Sequence, residues 1–238
     1  MKQLCWNTLV VILLGIAGTS ALAGPNAGGA LWLHTDDALE FSDGTDYKGM
    51  SGRNCVDDFN NCPPQVLDCV QSANPTSGRA LQETAVWWVL AAFDSSSCPR
   101  LSGITFGVGW ENENDISIVA SGKAGDFEIP TDGWPGYLLT GTAVTWQSPR
   151  LTHLAEVYWF AGYAYYGPAV FEIRHHPTQG SDFADDTIPA NLDPIPPEKR
   201  GTLGLGGATG VNPDPDGPTP TLEQSWGSLK RIFGTPGE

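Results

Sequence analysis

Leu101 to Ser121 reads LSGITFGVGWENENDISIVAS, and this stretch carries the clearest structural instruction in the chain. Ile104, Phe106, Val108 and Trp110 alternate with Gly103, Thr105, Gly107 and Gly109. Successive side chains of a β-strand point to opposite faces, so the first set makes a core face and the second an outer face of small residues. After the polar break Glu111 to Asp115, Ile116, Ile118 and Ala120 resume the inward phase. The two runs therefore read as neighbouring strands of one sheet.

The rest of the chain adds strands around this pair. Ala85 to Phe93 (AVWWVLAAF) is a continuous apolar run, as expected of a strand covered on both faces. A buried helix starting near Arg79 is the competing reading. The strand is preferred because adjacent Trp87 and Trp88 need opposite sides of an element to be buried. Thr142, Val144 and Trp146 alternate with Ala143 and Thr145, and Ala169 to Arg174 points Phe171 and Ile173 inward. Leu151 to Tyr166 is apolar in both phases and reads as a central strand, with Gly162 permitting a bend or bulge. Ala30 to His34 and Asp126 to Ile129 are shorter candidates. Short strands without an amphipathic helix between them predict an antiparallel β-sandwich, with a closed barrel as the alternative.

The chain ends differ in kind from this body. Lys2, the apolar run Leu9 to Ala17 and Ala21-Leu22-Ala23 form the three parts of a secretory signal peptide over 1–23, with cleavage expected before Gly24. The run is too short for an ordinary membrane span. The domain is expected over 24–195, with a loop excursion at 50–75 that Pro63 and Pro64 keep from being helical. Cys55, Cys62, Cys69 and Cys98 fit an oxidising compartment and allow three pairings, among which sequence does not choose. Gly and Pro dominate 196–220, which reads as an unpacked linker. In the tail, 221–238, Leu222, Trp226, Leu229 and Phe233 share one helical face behind Thr221 as cap, and Lys230 and Arg231 follow. So short a helix is marginal alone in water and calls for a partner surface, either its own domain or an export or surface component.

The net charge of −15 disfavours nucleic acid and anionic membranes, which reward clustered Lys and Arg. No G-x-S-x-G, H-E-x-x-H or phosphate-loop motif is present. Trp134, Tyr137, Tyr163, Tyr165 and Tyr166 lie in or beside turns and glycines and are candidates for an aromatic platform that takes a sugar or another flat ligand; core packing is the plainer reading. Asn212 to Glu223 (NPDPDGPTPTLE) has the EF-hand spacing, with Asn212, Asp214, Asp216 and Glu223 as calcium ligands. Its four prolines stiffen the loop, and no entering helix precedes it. His175 and His176 with Asp182, Asp185 and Asp186 offer mixed metal ligands, yet adjacent histidines on a strand point apart. Glu111, Glu113 and Asp115 are candidates for a glycosidase pair, with a solvated turn as the plainer reading.

The run SGITFGVGWENENDISIVAS resembles the strand pattern of cohesin-type and related carbohydrate-binding β-sandwiches, loosely over residues 84 to 175. That resemblance implies a cohesin-like or immunoglobulin-like sandwich and a non-catalytic binding role, for carbohydrate or a protein partner. The ending SWGSLKRIF resembles a W-G-x-x-K tail of bacterial secreted proteins, which implies export or attachment. With the calcium spacing before it, the tail also resembles half of a dockerin. The expectation is therefore an exported binding or surface-associated module, with a secreted carbohydrate-active hydrolase as the alternative.

Overall fold

The computed structural model describes residues 23–53 and 73–215. Among the described residues eleven strands form: β1 Ala30–Thr35, β2 Ala85–Ala92, β3 Leu101–Gly109, β4 Ile116–Lys123, β5 Phe127–Pro130, β6 Thr140–Arg150, β7 Leu154–Ala164, β8 Ala169–Arg174, β9 Asp182–Ala184, β10 Leu192–Pro194 and β11 Thr202–Leu205. Apart from a single 3-10 turn at Pro197–Lys199, no helix occurs among the described residues. The fold is an all-β antiparallel sandwich: a four-stranded sheet ordered β1-β2-β7-β4 faces a seven-stranded one. In the second, β10-β9-β3-β6-β5 run side by side, while β8 pairs with the far end of β3 and carries β11.

Between the sheets lies one apolar layer, with Trp87, Phe106, Trp110, Val144, Phe160 and Phe171 at its centre. Trp87 and Trp88 do point apart, Trp87 into this layer and Trp88 into a second one on the outer face of the four-stranded sheet. There a loop roofs the sheet. Tyr47 is buried beside Trp159, its carbonyl accepts from the Trp88 indole at 3.0 Å, and Glu156 accepts from the Gly49 and Ser51 amides at 2.5 and 3.0 Å. This sheet is thus covered on both faces.

Several expectations change. β3 and β4 are not neighbours: β3 pairs with β6, β8 and β9, whereas β4 pairs with β7 in the opposite sheet. The break at 111–115 carries the chain across the core. Both inner faces need the same alternation, so the pattern does not distinguish them. Ala120 does not continue the inward phase, because a register shift between Ile118 and Ala120 turns it to the outer layer. Gly162 pairs with Ile118 where that shift begins, and it also allows close approach, since a Cβ there would stand 2.4 Å from the Ser117 carbonyl oxygen. The Asp-rich and Pro-bearing stretch after β8, which carries no predicted strand, contains β9 and β10.

The expected linker is corrected too. Of 196–220, residues 196–215 are described, and they pack onto the body: β11 joins the larger sheet through β8, and Leu203 and Leu205 enter the inter-sheet core. Asn212 then clamps the edge of β1, its Oδ1 accepting from the Leu33 amide and its Nδ2 donating to the Leu33 carbonyl, each at 2.8 Å. One side chain thereby supplies what a neighbouring strand would supply. Asn212→Ala is expected to cost about 1.5 kcal/mol, seen as a lower denaturation midpoint at unchanged slope. An unchanged midpoint would mean that this segment adds nothing to the stability of the body.

Candidate functional site

On the outer face of the larger sheet, the half that holds Gly103 has no described segment packed over it as the outer face of the smaller sheet has. Cross-strand pairing sets two rows of side chains across it: Phe127, Thr145, Gly103, Ala184 and Leu192, then Ile129, Ala143, Thr105, Asp182 and Pro194. Residues directly opposite in a ladder share a face. The middle of each row is small, whereas Phe127 and Ile129 on β5 and Leu192 on β10 are large and 58 to 63% exposed. A trough of about 440 Å³ lies over this floor on the β10 side, lined mainly by apolar atoms of Gly103, Thr105, Ala143, Thr145, Ala184 and Leu192, with Gln179 and Asp182 beside them. With about 4.8 Å between strands, the outermost strands stand about 19 Å apart, room for a helix about 10–12 Å wide.

The trough ends where β8 begins. A Cβ on Gly107 would come within 2.5 Å of the His175 carbonyl oxygen, and one on Gly109 within 2.5 Å of the Arg174 guanidinium, so that half of β3 is already covered. Gly103 differs, because a Cβ there would meet nothing closer than 3.4 Å. Asp182 is the acidic group of the floor; its amide donates to the Thr105 hydroxyl at 3.2 Å. Burial pushes its carboxyl above the ordinary value, against the opposing pull of Arg200.

The five aromatic candidates do not form one platform. Trp134 is partly buried, packs against Phe106 and Phe160, and donates its indole N–H to the Tyr158 hydroxyl at 2.9 Å. Burial pushes the Tyr158 phenol up to about 12. Tyr137 lies partly buried against Trp110. These two plug the core. Tyr163, Tyr165 and Tyr166 instead meet at the β7–β8 turn, Tyr165 and Tyr166 edge to face with centroids 4.6 Å apart. Together with Glu113, Asn114 and Ser117 they line an open cleft of about 290 Å³.

Neither metal reading is assembled among the described residues. Both polar atoms of Asn212 are engaged with β1, the Asp214 carbonyl takes the Lys199 ammonium at 2.8 Å, and Asp216 and Glu223 lie outside the described residues. His176 Nδ1 accepts from Thr178 and Gln179 amides, and burial lowers its basicity. Asp185 binds Thr187 and Asn191 within its own loop; burial alone would raise its pKa, but those hydrogen bonds outweigh it and hold the carboxyl well below the usual range. Asp186 pairs bidentately with Arg100. No group of three or more His, Cys, Asp or Glu converges among the described residues. Asp115, in the acidic turn, accepts from the Asn112 amide and side chain and so closes that turn.

Cys98 is disulfide-bonded. Cys55, Cys62 and Cys69 lie outside the described residues, as do residues 1–22 of the signal segment and the tail. No described helix is long and apolar enough to cross a membrane.

The trough escaped the sequence reading, although its floor was visible there as the small-residue phase of β3. The walls come from β5 and β10, which are short and remote in sequence. No family model matches the chain, and no curated protein does. Among solved structures it is similar to a cohesin module from a family 33 glycoside hydrolase of Clostridium perfringens, with TM-score 0.41 and 6% identity over 60% of this chain and 94% of that one. It is also similar to a type II cohesin domain from the cellulosome of Acetivibrio cellulolyticus, with TM-score 0.39 and 9% identity over 59% of this chain and 92% of that one. The likeness is a weak one of β-sandwich architecture, and no residue role is carried over from it.

Proposed function

We propose that this is an exported, non-catalytic binding module that receives a protein partner in the trough on the outer face of its larger sheet. The observation that carries this reading is the contrast between the two sheets: one outer face is roofed by its own loop, and the other presents a small-residue floor between exposed apolar walls. Such a floor suits packed side chains better than a sugar, which needs several polar groups. The occupant is an amphipathic helix bearing large apolar side chains and basic neighbours. Its width fits between the walls, and its charge complements both Asp182 and a chain of net charge −15. The signal-like leader over 1–23 supports export.

The chain contains one segment of that chemistry, so a peptide of residues 218–238 serves as the probe. Titrated into protein shortened after Gly217, which keeps every described strand, it is expected to bind with a Kd of about 10 to 100 μM. Thr145→Lys puts bulk and like charge on the floor and should weaken binding at least about tenfold. Because Thr145 is exposed, the variant should still melt as the parent does. No heat of binding, or equal binding by the variant, would refute the trough as the partner site.

The tyrosine cleft supports a second reading, carbohydrate binding at Tyr163, Tyr165 and Tyr166. Tyr166 is 74% exposed beside the polar groups of Glu113 and Asn114, a combination that suits a sugar ring. A glycan array distinguishes the outcomes: retention lost on Tyr166→Ala supports the cleft, while release of reducing ends would instead show a hydrolase.

A further inference from the structure

Asp193 on β10 is 3% exposed, and both its carboxylate oxygens are held by the start of the body. Oδ1 accepts from the Gly24 backbone nitrogen at 2.7 Å and Oδ2 from the Asn26 amide at 3.0 Å. Arg100 pairs with Asp186 and Arg174 with Glu172, and this buried carboxylate faces no Lys or Arg among the described residues. A buried anion without a cation is costly. Gly24 is fitted to it, since a Cβ would come within 2.4 Å of Oδ2. Asn26, fully buried, is locked in turn against Arg100, whose amide donates to its Oδ1 at 2.9 Å. Ala23, one residue earlier, is exposed.

Resting on the reading of 1–23 as a cleaved signal, we infer that processing between Ala23 and Gly24 completes an ion pair: the new α-ammonium of Gly24 becomes the counter-charge of Asp193. Hydrolysis consumes one water, breaks the Ala23–Gly24 peptide bond, leaves a carboxylate on Ala23 and frees the Gly24 amine, which takes a proton at neutral pH. The nitrogen that donates to Asp193 as a neutral amide then donates as a cation, and charge-assisted hydrogen bonds are the stronger kind. Export and folding are thereby coupled, because the cut chain is more stable than the precursor.

The carboxylate raises the pKa of this amine above its ordinary value of about 8. The added stability is therefore fully present below about pH 8 and lost as pH rises through the raised value. Two chains test this, one beginning with a free Gly24 and one with residues 19–23 still attached, both ending at Glu238. At pH 7 the free-Gly24 chain is expected to melt about 5 °C higher, and the gap should close by about pH 10. Asp193→Asn should abolish the gap; should that variant not fold, the pH profile of the two unsubstituted chains carries the test. Equal melting from pH 6 to 10 would overturn the pairing. Mass and end sequencing of the exported chain should give Gly24 as first residue, and any other start would overturn the processing reading.

Discussion

Trp87→Ala is expected to lower stability by about 3 to 5 kcal/mol, the largest effect of any single substitution considered. Trp87 is fully buried between the sheets, stacked on Phe160 at 5.8 Å between centroids and edge to face with Phe171 at 5.2 Å. Both neighbours are themselves fully buried, so little can collapse into the space left behind. The close approach of Gly162 on β7 adds backbone to the same contact. Trp87→Phe offers a control. The indole N–H of Trp87 has no hydrogen-bond partner among the described residues, so phenylalanine removes an orphaned donor along with some volume and should cost about 1 to 2 kcal/mol. Denaturant midpoints at constant slope measure both. A loss below about 1 kcal/mol for the alanine variant would mean that the inter-sheet layer does not centre on this residue.

Acid should weaken the protein through His34 before it protonates most carboxylates. His34, 2% exposed, accepts the Asn74 amide hydrogen on Nδ1 at 2.9 Å, with the Arg53 guanidinium 3.3 Å from the other ring nitrogen. Burial, then the charge of Arg53, pushes its pKa down to about 4. The unfolded chain binds this proton near pH 6.5 and the folded chain only near pH 4, so the unfolded state gains as pH falls through that window. The neutral ring's contribution is complete above about pH 6.5 and falls away between there and pH 4. After allowance for solvent screening the loss is about 2 kcal/mol. Stability curves of the parent and His34→Gln, taken from pH 7 to pH 4, should converge by that amount. Parallel curves would show that His34 does not carry the dependence.

The sandwich was legible because burial imposes period two, and Trp87 beside Trp88 already required a strand with two covered faces. Which sheet a strand joins was not legible. Ile116 and Phe106 carry the same instruction, to point at the core, from opposite sides of it. The roof over the smaller sheet depends on Glu156 reaching Gly49 and Ser51, contacts between residues more than a hundred positions apart. The segment after Pro196 misled for a different reason. Gly204 and Gly210 give a flexible composition, yet a Cβ on either would lie within 2.1 Å of a backbone oxygen, Ala208 for the first and Pro75 for the second. These glycines serve tight backbone packing, and the alternating Leu203 and Leu205 were the signal that a strand was present. At the candidate sites, Tyr163, Tyr165 and Tyr166 do share a cleft, while Trp134 and Tyr137 followed the plainer reading and packed on the core.

The open sheet face is tested most directly by amide chemical shifts of the labelled protein, shortened after Gly217, during titration with the 218–238 peptide. Shifts should concentrate at Gly103, Thr105, Ala143, Thr145, Ala184 and Leu192 and vanish in Thr145→Lys. Shifts centred instead on Tyr163, Tyr165 and Tyr166, or none at saturating peptide, would contradict the account.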